Sequence, residues 1–262
     1  MTNETQEKLA GSLTAETTEL IPFLPYLLQD FWELGAEPNI ILGLIKEHVD
    51  LPENAQILDL ACGKGAVSVR IAERLQAKVK GVDLIPEFVE YAKQKANEHS
   101  VSGLCEFVVQ DINEAVKKET GYDVVILGAV GNVLGSPLET LVKLKETIKT
   151  GGYILIDDGY LEDDAIGEDI KYNNYEYLTR ADWDNIFKQA GLELVKAATE
   201  FEDIENHDSD SGMKLITQRA NELMLKHPDK KEMFEGYIKS QQDEYDDLDT
   251  SIAEVTWILK KL

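Results

Sequence analysis

Residues 57–65 read Ile-Leu-Asp-Leu-Ala-Cys-Gly-Lys-Gly. The apolar run is too short for a stable helix and breaks on small residues, which predicts a strand and a tight turn. Val67, Ile71 and Leu75 then recur at a helical period. The pattern repeats downstream. Val79 to Val82 reads as a second strand closing on Asp83, and Pro86 opens a helix carrying Val89, Ala92 and Ala96. Cys105 to Val109 is a third strand ending before Asp111, and Asp123 to Leu127 a fourth. Pro137 starts a helix with Leu141, Leu144 and Ile148 on one face; Gly151-Gly152 breaks it, and Tyr153 to Ile156 is a fifth strand. Strands alternating with helices imply an α/β fold, a mostly parallel sheet with helices on both faces.

The flanking regions read differently. The first fifty residues look helical, with Phe23, Leu24, Leu27, Leu28 and Phe31 in one stretch, Ile21 to Leu34, and Ile40, Ile41, Leu44, Ile45 and Val49 in another. Pro22, Pro25 and Pro38 sit near expected helix starts. Thr179 reads as an N-cap, with Asp182 three residues on, of a helix holding Trp183, Ile186, Phe187 and Ala190 and ended by Gly191. Leu192 to Ala198 is a sixth strand and Glu254 to Leu259 the last. Between them, 199–250 holds fifteen Asp or Glu and six Lys or Arg. Its stripe of Met213, Ile216, Ala220, Leu223 and Met224 predicts a helix with a core-facing side. Met233, Tyr237, Tyr245 and Leu248 make a poorer stripe. The expected organisation is 1–50 as N-terminal helical lid or cap elements, 51–200 with 254–262 as the core, and 201–253 as an acidic helical insertion covering the acceptor site.

The net charge of -24 argues against a nucleic-acid partner, because phosphate binding needs a basic track. No run of about 18 apolar residues predicts a membrane span. The first residues, Met-Thr-Asn-Glu-Thr-Gln-Glu, lack a basic segment leading into an apolar one, so a cytoplasmic location is expected. Cys62 and Cys105 are read as buried free thiols, and no metal is expected.

Three features fall at the carboxyl ends of the first three strands, where open α/β sheets bind ligands. The turn after Asp59 allows close backbone approach, and the helix that follows offers free amides and a positive dipole end. Asp59 is expected to bond a charged amine or a turn amide. Asp83, eighteen residues beyond Gly65, is placed to accept from ribose hydroxyls, and Asp111 from an adenine amino group. A dinucleotide-binding unit shares this physics, but its third glycine is missing: Gly65 is followed by Ala66, Val67 and Ser68. No Gly-Lys-Ser or Gly-Lys-Thr occurs, which excludes a P-loop.

Together, Ile57 to Gly65, Gly81-Val82-Asp83, Gln110-Asp111-Ile112, Gly121 to Val125 and Leu144 to Ile156 resemble the class I S-adenosylmethionine (SAM)-dependent methyltransferases. The resemblance covers about 54–200 plus the last strand. It implies a seven-stranded sheet of order 3-2-1-4-5-7-6 with the last strand antiparallel, and SAM as cofactor with S-adenosylhomocysteine as product. It places Ala61 and the Gly63–Gly65 turn at the methionine part of SAM. Asp83 falls at the ribose, Leu84 beside the adenine, Asp111 at its amino group and Ile112 against its ring. The loop from Gly128 to Val133, with Asn132, falls near the methyl donor. Ala61 stands where the family often has glycine.

The expected activity is methyl transfer to a nucleophilic N, O or S atom of a small molecule by in-line displacement. The alternatives are a protein methyltransferase and a SAM-binding module without turnover. Candidate acceptor contacts are Asp158 and Tyr160 after strand five, Tyr172, Tyr175 and Tyr177, and Tyr26 and Trp32 in the leading helices. The tyrosines supply aromatic walls or anchor a crossing loop. His207, in the acidic segment, is the histidine considered as a base, with Asp158 and Tyr160 as further catalytic candidates. A homodimer is compatible with the exposed insertion.

Overall fold

The structure is a computed structural model that describes residues 2–162, 170–172, 175–199 and 209–262. In chain order its elements are α1 (Asn3–Ser12), α2 (Leu24–Leu27), α3 (Pro38–His48), β1 (Gln56–Leu60), α4 (Ala66–Leu75), β2 (Lys78–Asp83), α5 (Pro86–Glu98), β3 (Cys105–Val109), α6 (Ile112–Ala115) and β4 (Tyr122–Gly128). There follow α7 (Pro137–Thr147), β5 (Ile148–Leu161), β6 (Leu178–Thr179), α8 (Arg180–Gln189), β7 (Leu192–Thr199), α9 (Ser209–Lys226), α10 (Lys231–Thr250) and β8 (Ile252–Lys261).

The sheet runs β3-β2-β1-β4-β5-β8-β7, with the two-residue β6 paired to β5 off this path. Strands β1 to β5 pair in parallel, and β8 lies antiparallel to β7. Counting β7 and β8 as the sixth and seventh long strands gives the expected order 3-2-1-4-5-7-6. The registers matter for the site. Leu60 pairs with both Val82 and Leu127, Asp83 with Val109, and Gly128 with Asp157. The carboxyl ends of β1 to β4 therefore share one rim.

The chain clusters into two compact units. One holds Trp32–Asp158, Ala181–Thr199 and Val255–Leu262; the other holds Met1–Phe31, Gly159–Arg180 and Glu200–Glu254. The core of the first is continuous across sheet and helices: Ile41 and Ile45 of α3, Ile57 of β1, Ile71 of α4, Val89 of α5, Ile126 of β4 and Ile258 of β8 are buried together. Residues 32–50, expected among the cap elements, thus pack within the sheet unit. On α8, Trp183 and Phe187 stack with Trp257 of β8 at ring separations of 4.7 and 5.5 Å from it. The sequence explains the helix ends. Ser136 and Glu139 form a reciprocal capping box at the start of α7. Gly191, at φ +64°, donates its N–H to the Lys188 carbonyl beyond α8.

In the other unit, Phe23 packs edge-on against Phe234 of α10, and Met213, Ile216, Ala220 and Leu223 bury one face of α9. Arg219 of α9 holds Asp30 through two bonds of 2.6 and 2.9 Å. Two expectations need correction. Ile21 to Leu34 is not a continuous helix but a 3-10 turn, Thr18–Phe23, then the single turn α2. Pro22, inside the 3-10 turn, and Pro25, in the first turn of α2, lack the N–H that a continuous α ladder needs. Gly151-Gly152 does not separate helix from strand, since β5 already starts at Ile148 and runs to Leu161; Asp157 to Tyr160 are strand residues, not a loop. Thr179, which ends β6, stands immediately before α8, the position expected of its N-cap.

Candidate cofactor site

The turn after β1 has an unusual backbone. Ala61, Gly63 and Gly65 all take the left-handed conformation, at φ +55°, +52° and +76°. At Gly65 no side chain fits, since a methyl there would come within 2.7 Å of the Ala92 Cβ. Ala61 accepts the strain that glycine avoids at the same place in relatives of the resembled family. The result is a sharp bend delivering the chain into the amino end of α4.

Two buried carboxylates hold the bend. Asp59 is 3% exposed and accepts the Ser68 hydroxyl at 2.5 Å. Burial pushes its pKa up to about 7, against the opposing effect of the Ser68 bond. Within the chain its side-chain partner is thus Ser68. Ser68 stands where a dinucleotide-binding turn carries its third glycine; a small polar residue one turn into the helix was the signal for this bond. Asp83 accepts the Gly63 N–H at 2.8 Å on one oxygen and the Ile85 N–H at 2.9 Å on the other. Burial raises its pKa too, with the amides of Ile85, Gly63 and Leu84 pulling the other way. Cys62, beside both acids, is held well above the ordinary thiol range by burial and their negative charge. Cys105, also a free thiol, is pushed up to about 12 by burial.

The other expected cofactor residues lie along the same rim. Leu84 is half-buried just beyond β2, and Ile112 is buried at the start of α6. Asp111 is half-buried and caps α6, accepting the Asn113 N–H at 2.8 Å. Gly128 ends β4. A cleft at this rim is lined by Asp59, Ala61, Gly63, Lys64, Val67, Ile126 and Gly128, together with Trp32, Leu34 and Ala36. Sequence reasoning missed Ile126, Leu34 and Ala36, and no local pattern marks them. Trp32, expected at the acceptor, lines this cleft.

The donor set fits an adenosyl amino acid. Small residues floor the cleft at Ala61 and Gly63, and each Asp83 oxygen carries acceptor capacity beyond its backbone bond. The remaining acceptor candidates are spread more widely. Asn132 is exposed in the 3-10 turn Gly131–Leu134, and Asp158 is half-buried on β5. Tyr26 donates to Glu222 at 2.5 Å. Tyr160 lies 5.7 Å from the Arg180 guanidinium. Tyr172 is buried, with its N–H on Asp247 at 2.7 Å and its hydroxyl on the Gly11 carbonyl at 3.3 Å, which anchors its segment. Tyr175 and Tyr177 meet edge to face at 4.8 Å. His207 lies outside the described residues.

Comparison with known proteins agrees with this geometry. A family model described as a methyltransferase domain matches residues 51–199. YqeM of Bacillus subtilis is 35% identical over 111 residues, 41% of this chain and 43% of that protein. Malonyl-[acyl-carrier protein] O-methyltransferase of Halalkalibacterium halodurans is 25% identical over 58% of this chain and 63% of its own length. Ribosomal protein L11 methyltransferase of Dictyoglomus thermophilum is 28% identical over 55% and 46%. The chain spans about half the length of the curated relatives it matches. A solved SAM-dependent methyltransferase from Geobacter sulfurreducens, in complex with S-adenosyl-L-homocysteine, superposes with a TM-score of 0.74 at 17% identity, over 92% of this chain and 98% of that one. The chain belongs to the methyltransferase-domain family, and its fold is that of the class I SAM-dependent methyltransferases.

Proposed function

We propose that the protein transfers a methyl group from SAM to a nucleophilic N, O or S atom of a small molecule. The observation that carries the reading is the bend at 61–65, tied to Asp83 through the Gly63 N–H on the same rim that Asp111 closes. SAM supplies an activated methyl group when bound, so the chain's task is to orient and to exclude water. Asp83 fixes the bend and offers its remaining lone pairs to the ribose hydroxyls. Leu84 and Ile112 give the adenine apolar faces, and Asp111 offers a carboxylate to its amino group. Ala61, Gly63, Gly65 and Gly128 hold the space for the amino-acid end. Tyr26, Asn132, Asp158, Tyr160, Tyr172, Tyr175 and Tyr177 are the candidate acceptor contacts. Asp158, Tyr160 and His207 are the candidates for removing a proton from a phenol or alcohol.

The net charge of -24 favours a small neutral or cationic acceptor over an anionic polymer. Similarity to the ribosomal protein L11 methyltransferase favours a second reading, a protein acceptor. One experiment separates them. The full chain is incubated with methyl-labelled SAM and either a small-metabolite extract or a protein extract. Label entering the small-molecule fraction supports the first reading, and label confined to protein supports the second. S-Adenosylhomocysteine binding without label in either fraction would reduce the protein to a binding module. Among the described residues no helix is long and apolar enough to cross a membrane.

A further inference from the structure

The five residues 32–36, Trp-Glu-Leu-Gly-Ala, touch the cofactor rim at four successive points. The Trp32 indole N–H donates to the Lys64 carbonyl at 3.0 Å, inside the bend itself. The Trp32 ring is held in turn by the Arg70 guanidinium at 5.2 Å, the Lys95 ammonium at 5.1 Å and the His99 ring at 5.1 Å. Leu34 lies over Gly63, where an added methyl would come within 3.3 Å of its Cδ1. Gly35 approaches Ala129 so closely that a methyl on it would meet the Ala129 Cβ at 2.5 Å. Ala36 leaves no room for a side chain on Gly128, at 2.6 Å. Trp32, Leu34 and Ala36 all line the cleft.

A bend with three left-handed residues keeps its shape only if its polar groups are fixed from outside. Asp83 takes the Gly63 N–H, and Trp32 supplies the donor for the next residue's carbonyl. We infer that segment 32–36 is a strap belonging to the cofactor site. Trp32 is the positioning residue of the bend, and Leu34 is a wall against the amino-acid end of the donor. The inference rests on the proposed cofactor.

The test uses the full chain, S-adenosylhomocysteine as probe, calorimetric binding and tryptophan emission. The chain has three tryptophans, and Trp183 and Trp257 are at most 1% exposed and stacked together, whereas Trp32 faces the cleft. Trp32→Phe keeps a ring between the cations and removes the N–H donor. It is expected to weaken binding about fivefold to tenfold and to abolish the emission change that the probe produces in the wild type. Leu34→Ala, expected to weaken binding at least threefold, serves if Trp32→Phe does not fold. Wild-type binding with unchanged affinity in the variant tested, or an emission change that survives in Trp32→Phe, overturns the strap alone. No binding by the wild type overturns the cofactor reading and the strap together.

Discussion

Gly63 and Asp83 stand twenty residues apart and are joined by a 2.8 Å hydrogen bond from the glycine N–H to the carboxylate. The bond ties the bend after β1 to the end of β2, so the acid holds the bend, and the proposed function gives it a second duty at the ribose. Asp83→Ala is expected to weaken SAM binding more than about tenfold, because charge-assisted bonds are lost on both sides. Asp83→Asn is not conservative here. Its oxygens face two backbone donors, Gly63 and Ile85, and an amide group would point N–H at one of them. Calorimetric titration of both variants checks this, and wild-type affinity in either would remove Asp83 from the site.

The bend offers a second contrast. Ala61 sits at φ +55° and Gly65 at φ +76°. Ala61→Gly is expected to be neutral or to stabilise by up to about 1 kcal/mol. Gly65→Ala adds a left-handed side chain 2.7 Å from the Ala92 Cβ and is expected to cost about 2–4 kcal/mol. Urea unfolding midpoints measure both, and opposite signs are the expected result.

Asp59 makes the fold pH-dependent. Its carboxyl titrates near pH 7 in the folded chain against an ordinary value of 3.8, chiefly because it is buried. Between about pH 4 and 7 the folded chain keeps a proton that the unfolded chain has released. Raising the pH through this window therefore lowers stability, and the loss is complete above about pH 7. Asp83, raised for the same reason, acts in the same direction. Asp59→Asn, whose carbonyl can still accept from Ser68, is expected to flatten the fall in melting temperature between pH 5 and 8. A variant as pH-sensitive as the wild type would show that other groups set the dependence.

Tyr237 on α10 is 2% exposed, and its hydroxyl has no hydrogen-bond partner among the described residues. Burying an unpaired hydroxyl costs about 1–3 kcal/mol. Tyr237→Phe removes that cost while keeping the ring, so unchanged or higher stability is expected, by up to about 2 kcal/mol. Chemical denaturation at equal protein concentration measures it. A clear loss of stability would mean that the hydroxyl is satisfied, for instance by water.

The repeated strand–turn–helix units were legible in the sequence because each is a local event. The short apolar runs at 57–60, 79–82 and 105–109 are bounded by turn residues, and their order forces a parallel sheet whose carboxyl ends lie together. Gly63, Gly65, Asp83 and Asp111 were legible for the same reason. What depended on contacts distant in sequence was decided only by the tertiary structure. Nothing near Trp32 announces that its N–H reaches Lys64 thirty-two residues on. The residues 32–50 read as cap elements by their helical period, yet α3 buries Ile41 and Ile45 in the sheet unit's core. Periodicity shows that a helix has an apolar face, but the surface that face meets is set by the rest of the chain.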